Sequence, residues 1–180
     1  MAIQRLRRIF DFFRTLVFLS ALAFAVAWLA NNASTDLVGY PKVLDGDSLV
    51  LDGIEIRLEG IDAPEYDQLC ENNNGQFRCG QSSKKHLETL LGGLQITCVG
   101  WQTDKYDRLL ATCKHGDFEL NQRMVEDGWA IAYGAYEAAE KNARNNKTGL
   151  WAGGFQSPAA WRKEKQESGI LGWLGGFRFW

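Results

Sequence analysis

The sequence predicts a mixed α+β chain: a five-stranded Greek-key β-barrel with about three α-helices, preceded by a hydrophobic N-terminal helix. Three observations predict it. Short apolar or alternating runs between Val38 and Lys114 are punctuated by Asp-Gly pairs; segments with apolar residues at helical spacing lie between and after them; and a charge-free run, Thr15 to Ala30, stands apart at the N-terminus. With 46% hydrophobic and 23% charged residues among 180, the composition is that of one globular domain plus extensions, which sets disorder aside.

The N-terminal run TLVFLSALAFAVAWLA has sixteen residues without a formal charge, behind a basic stretch containing Arg5, Arg7, Arg8 and Arg14. No polar face interrupts it, which argues against a core helix. At 1.5 Å per residue it spans about 24 Å, short of a hydrocarbon core of about 30 Å unless Ile9 to Phe13 join it. Residues 1–30 are therefore a signal-anchor or a cleaved signal peptide: Ala25 and Ala27 suit a signal peptidase, whereas continuation through Trp28 and Leu29 suits a spanning helix. Either way the arginine-rich end stays cytoplasmic and residues from Asn31 onward lie outside, periplasmic or extracellular. The domain is then held at the cell membrane by its N-terminal helix, or secreted if the segment is cleaved.

Residues 31–37 (NNASTDL) read as a polar spacer. Strands follow at Val38–Val43, Ser48–Leu51 and Ile54–Ile61, separated by Asp45-Gly46 and Asp52-Gly53, both tight-turn signals. SSKKHLETLLGG has a Ser start, Leu87, Leu90 and Leu91 on one face and a stop at Gly92, which describes a short helix. Two more strands come from Gln95–Trp101 and Leu109–Lys114. FELNQRMVEDG and AYEAAEKNARNNKTG then read as helices. A meander, a helix, a closing hairpin and C-terminal helices fit an OB-type Greek-key barrel.

Cys70, Cys79, Cys98 and Cys113 are an even number in an exported domain, where thiols tend to be oxidised. Cys98 and Cys113 sit in adjacent strand segments suited to a cross-strand bridge, and Cys70 with Cys79 would close the polar loop CENNNGQFRC. A zinc site is the competing reading, disfavoured because no C-x₂-C pair occurs. His86, in a helix, and His115, in a turn, read as solvent-exposed.

The net charge of −2 is uneven: residues 1–30 carry four arginines against Asp11, +3, leaving −5 for the rest. The broad basic surface of a tight, sequence-independent nucleic-acid binder is thus lacking. A few well-placed cations must serve instead. Charges concentrate in Asp45-Gly46-Asp47-Ser48, in Arg57 to Glu65, and in Asp104-Lys105-Tyr106-Asp107-Arg108. Taken singly these are a hairpin turn, a strand-ending turn and a solvated loop. Taken together, Asp47 and Asp62 can offer carboxylates to a hard cation such as Ca²⁺, and arginines can meet the charge that develops on a phosphodiester under attack.

The runs VLDGDSLVL, IRLEGIDAPE and DKYDRLLA resemble the three motifs of the staphylococcal nuclease (thermonuclease) family, in its order and with similar spacing, over about residues 38–151. The resemblance implies a domain at 38–152 that hydrolyses DNA and RNA with little sequence preference, leaving 5′-hydroxyl ends. It places Ca²⁺ ligands on Asp47, Asp62 and the Ala63 carbonyl, phosphate-clamping arginines on Arg57 and Arg108, and the water-activating carboxylate on Glu65, with Asp45 tuning the site. Lys105, Tyr106 and Tyr133 are candidate substrate contacts. Two departures stand out: Ser48 replaces the usual Thr, and Asp107 replaces a frequent Gly, where it can pair with Arg108 or change the loop. The alternatives are a noncatalytic module of this fold that binds nucleic acid or protein, and an envelope protein in which the acidic turns hold Ca²⁺ for stability.

Residues 153–180 form a tail beyond the motifs. WRKEKQES leads into GILGWLGGFRFW, too short to span a bilayer and too rich in Gly for a stable helix, with Trp173, Phe177, Phe179 and Trp180 suited to a groove on the domain or to a membrane interface.

Overall fold

The computed structural model describes residues 2–31 and 34–175, with side chains described for residues 11–28 and 34–168. The chain forms two compact units, Met1–Ser34 and Thr35–Trp180. In the first, α1 runs unbroken from Ala2 to Asn31. Thirty residues at 1.5 Å give a helix of about 45 Å. Its window Asp11–Trp28 is long and apolar enough to cross a membrane, and its side chains are exposed. The helix therefore extends beyond the sixteen-residue run at both ends and takes in Ile9 to Phe13.

The second unit is the expected mixed α+β domain, a curled half-barrel of the OB type with helices against it. Its main strands are β1 (Thr35–Gly39), β2 (Lys42–Val43), β3 (Ser48–Leu51), β4 (Ile54–Leu58), β8 (Ile96–Thr103) and β9 (Leu109–His115), with short pieces β5 (Ile61–Asp62), β6 (Cys70–Asn72), β7 (Gly75–Phe77), β10 (Phe118–Glu119) and β11 (Ile131–Ala132). The sheet order is β1-β8-β9-β4-β3-β2, and β4 pairs with β9 in parallel while the other neighbours are antiparallel. Segment 35–43 supplies both ends of that order, because Tyr40-Pro41 interrupts it and Pro cannot donate to a ladder. The sheet thereby curls back on itself. Leu49, Leu51, Ile56, Leu58, Ile96, Leu87 and Met124 fill the interior and are almost wholly buried.

Several boundaries differ from the sequence expectation. The spacer 31–37 overlaps β1, which pairs Leu37 with Cys98. The strand expected over 38–43 is divided at Tyr40-Pro41, and the one over 54–61 breaks at Gly60 (φ 80°), so β5 turns away to pair with β11. Asp52-Gly53 is the tight turn its residues announce, both with positive φ, joining Leu51 to its partner Ile54. Asp45-Gly46 is not: Gly46 has no positive φ and is needed for close approach, since a Cβ there would fall 2.0 Å from Ser83 Oγ and 2.8 Å from Ala63 Cβ. The cysteine loop is a hairpin, β6–β7.

The three expected domain helices are α2 (Cys79–Leu91), α3 (Leu120–Glu126) and α4 (Glu137–Asn146). A further helix, α5 (Pro158–Gly175), occupies the charged part of the tail and continues through its glycines, contrary to expectation. Ser157 starts it, its Oγ accepting from the Ala160 N–H at 3.3 Å, with Pro158 at the first helical position. The side chain of Trp173, and Phe177, Phe179 and Trp180 altogether, lie outside the described residues. Disulfides join Cys70 to Cys79 and Cys98 to Cys113, as expected. His86 is half-buried and contacts Asp127 through Nε2 at 2.8 Å, and His115 ends β9 instead of lying in a turn.

Candidate active site

One cleft of about 600 Å³ gathers ten of the residues the sequence singled out: Asp45, Asp47, Arg57, Asp62, Ala63, Glu65, Lys105, Tyr106, Arg108 and Tyr133. Barrel topology explains the convergence. The antiparallel register of β3 and β4 sets Ser48 opposite Arg57, and the parallel pairing of β4 with β9 brings Arg57 beside Leu110, near the 104–108 loop. Chain segments more than 40 residues apart thus meet at one end of the half-barrel.

At its floor, Asp47 and Asp62 are 5% and 2% exposed. Asp47 Oδ2 accepts from the Ala63 N–H at 3.1 Å, and Arg57 Nη2 lies 3.2 Å from Asp47 Oδ2 and 2.8 Å from Asp62 Oδ1. Asp45 shapes the turn beneath them: its Oδ1 accepts from the Asp47 N–H at 3.1 Å and from Ser48 Oγ at 2.7 Å. Ser48 therefore supplies the hydroxyl that a Thr would. Burial pushes the Asp47 carboxyl up to about 8, against the pull of Arg57 and with the repulsion of Asp45 adding to it. Burial also works against the Arg57 charge, but Asp47 and Asp62 outweigh it and hold that guanidinium above its ordinary value.

Glu65 is half-buried on the loop after β5. Gln68, wholly buried, folds that loop: its Oε1 accepts from the Glu65 N–H at 3.2 Å and its N–H donates to the Glu65 carbonyl at 2.8 Å. Gly80 permits the fold of this loop, because a Cβ there would lie 1.8 Å from the Glu65 carbonyl oxygen. Neither Gln68 nor Gly80 was signalled by local sequence pattern.

On the opposite wall Arg108 is oriented by Asp104, whose Oδ2 accepts from Nε at 2.9 Å and from Nη2 at 2.7 Å. Slight burial raises the Asp104 carboxyl, but its bonds from Arg108 and from backbone N–H groups outweigh that and hold it below the usual range. Asp107 is not the partner of Arg108. It takes φ 65°, the left-handed conformation natural to a Gly, which Asp tolerates better than most residues. Lys105, Tyr106 and Tyr133 are exposed at the rim, with Lys105 Nζ 4.8 Å and Arg108 Cζ 5.5 Å from the Tyr106 ring centre.

Arg162 of α5 also enters the cleft and was missed by the sequence reading. The signal that could have found it is Ser157-Pro158, a helix start. It bonds both oxygens of Asp62 and Oε1 of Glu65.

Two buried carboxylates side by side, one of them opposed by burial to losing its proton, make an all-oxygen donor set suited to a hard divalent cation. Among the described residues no three His, Cys, Asp or Glu side chains form a complete ligand cluster. Main-chain carbonyl and water oxygens would have to complete the shell.

The family model described as "Staphylococcal nuclease homologue" matches residues 55–153. The chain belongs to this family. Among curated relatives, the succinoglycan biosynthesis protein ExoI of Rhizobium meliloti (strain 1021) is 32% identical over 128 residues, covering 67% of each chain. An uncharacterized endonuclease of Haemophilus influenzae is 32% identical over 137 residues, 69% of this chain and 72% of that one. An uncharacterized endonuclease of Escherichia coli is 33% identical over 136 residues, 69% and 83% respectively.

Proposed function

We propose that this staphylococcal nuclease homologue is a Ca²⁺-dependent, sugar-nonspecific nuclease that hydrolyses phosphodiester bonds of DNA and RNA at the cell envelope, its domain (residues 38–152) carried outside the cytoplasm behind residues 1–30. The observation that carries the reading is the single cleft in which paired buried carboxylates, a more accessible carboxylate and two arginines converge. Relatives named as endonucleases support it. So do two disulfides, which suit an oxidising compartment.

Asp47, Asp62 and the Ala63 carbonyl would hold the cation. Bound Ca²⁺ supplies a positive charge that polarises the phosphate and lowers the cost of forming hydroxide. Glu65 takes the proton of the attacking water as the new bond to phosphorus forms. The bond from phosphorus to the 5′ oxygen breaks and that oxygen takes a proton from solvent water, leaving a 5′-hydroxyl and a 3′-phosphate. Arg57 and Arg108, whose charge is permanent, hydrogen-bond the equatorial oxygens as negative charge builds there. Lys105 contributes charge toward a neighbouring phosphate, and Tyr106 and Tyr133 offer ring faces to bases, contacts that any sequence can make.

The test is digestion of plasmid DNA and of total RNA by the full-length chain in detergent, with Ca²⁺ and with chelator. Degradation of both substrates in Ca²⁺ and none in chelator is expected. Undiminished cleavage in chelator would overturn the cation assignment, and no cleavage in Ca²⁺ would favour a noncatalytic binding module.

A further inference from the structure

Helix α5 lines the cleft with Ala159 and Arg162, and the Arg162 side chain lands on two of the carboxylates given roles there, the cation ligand Asp62 and the water-activating Glu65. The Arg162 guanidinium meets Asp62 fork-on, Nη1 to Oδ1 at 3.1 Å and Nη2 to Oδ2 at 3.0 Å, and Nη1 also donates to Glu65 Oε1 at 2.7 Å. From the barrel side, Arg57 Nη2 adds a third donor to the Asp62 carboxylate, at Oδ1. One helical turn beyond Arg162, Lys165 pairs with Asp67. Ahead of the helix, the Gln156 carbonyl accepts from the buried Gln68 side chain at 2.7 Å. The ties made by Arg162, Lys165 and Gln156 all run from α5 and its approach to the short segment 62–68.

A planar guanidinium seated across both oxygens of a carboxylate occupies the directions from which another cation would approach them. Carboxylate oxygens ligate Ca²⁺ at about 2.3–2.6 Å, so an ion on Asp62 would sit against the guanidinium with strong mutual repulsion. Asp62 cannot serve both in this arrangement. Of the two guanidiniums at Asp62, Arg57 is the one fixed within the barrel, whereas Arg162 has a 42% exposed side chain and room to withdraw toward solvent.

We propose that Arg162 is a built-in competitor for the divalent cation: it stands in for the ion at Asp62 and Glu65, and cation binding expels it and loosens α5 from segment 62–68. The inference rests on the reading of Asp62 as a cation ligand and adds the residue that sets the cation affinity. It also makes α5 a lever on the site. By linkage, anything that draws α5 away raises cation affinity, and anything that seats it lowers that affinity.

Titration calorimetry of Ca²⁺ into the full-length chain in detergent micelles, without nucleic acid, tests this. Arg162→Gln removes the competing charge and should tighten Ca²⁺ binding about fivefold to tenfold, the size expected for a partly exposed, multiply bonded ion pair. In the wild-type chain, amides of residues 159–167 should exchange hydrogen faster with Ca²⁺ than without it. Equal or weaker Ca²⁺ binding by a normally folded Arg162→Gln chain overturns the competition. So does greater protection of α5 on adding Ca²⁺, a result that stands even if the variant misfolds. Absence of Ca²⁺ binding in both chains, with Asp62→Asn as the matching blank, instead overturns the cation reading beneath it.

Discussion

Replacing Asp47 by Asn should make the cation-free domain more stable, increasingly so as pH rises. Burial pushes this carboxyl up to about 8 even though Arg57 lies 3.2 Å away. In an unfolded chain an Asp titrates near 3.9. Between about pH 4 and about pH 8 the folded state therefore keeps a proton that the unfolded state has released. Stability contributed by this group is greatest below the unfolded value and falls by about 1.4 kcal/mol for each pH unit until the folded carboxyl itself ionises. From about pH 5.5 to about pH 7.5 the loss amounts to about 2–3 kcal/mol. Asp47→Asn keeps the shape and the acceptor for the Ala63 N–H but cannot ionise, so this slope vanishes from its stability. Urea unfolding of residues 31–180, wild type and variant, in chelator at several pH values within that window measures the difference directly. A difference that stays constant with pH would refute the reasoning, because it would mean that Arg57 neutralises the buried carboxylate fully.

Glu65→Gln and Arg57→Ala should each lower kcat by about 10²–10³ or more, with far-UV and near-UV circular dichroism unchanged, as loss of one transition-state group typically does. Asn121 is wholly buried, its Oδ1 accepting from the Cys113 N–H and its Nδ2 donating to the Glu59 and Ala111 carbonyls; Asn121→Leu should cost about 2–4 kcal/mol in urea unfolding through the groups left unpaired. Gly80→Ala should lower both the melting temperature and kcat, since the added Cβ would fall on the backbone of Glu65 and Tyr66 and must displace the loop that carries Glu65; thermal melting and turnover of the same preparation check it. The full-length chain should stay in the membrane fraction through a high-salt wash, and deletion of residues 1–30 should release it; recovery of a soluble product beginning near Trp28 would show a cleaved signal instead.

Local chemistry made much of this legible in advance. Asp52-Gly53 announces its turn because two consecutive positive φ values are needed there and these residues tolerate them. Leu87 and Leu91 mark the buried face of α2 because helical spacing puts them on one side. The cysteine pairs were legible because Cys98 and Cys113 lie on strands joined by one hairpin. Asp45-Gly46 misled for the converse reason: the same dipeptide serves there to let α2 and Ala63 come close, a demand set by residues 17 and 37 positions away.

The sequence by itself named ten of the residues that line the cleft, because the three motifs carry carboxylates and arginines on short segments beside predicted strands. It also determined the long apolar helix at the N-terminus and the oxidised character of the domain. Only the tertiary structure decided what each charge faces. It gave Arg108 to Asp104 and left Asp107 in a glycine-like turn, folded Glu65 over Gly80 through a buried Gln68, and brought Arg162 from α5 onto Asp62, 100 residues earlier in the chain. Propensity and periodicity act over a few residues, whereas the pairing of buried charges depends on strand register and helix docking, which bring together groups that no window of sequence contains.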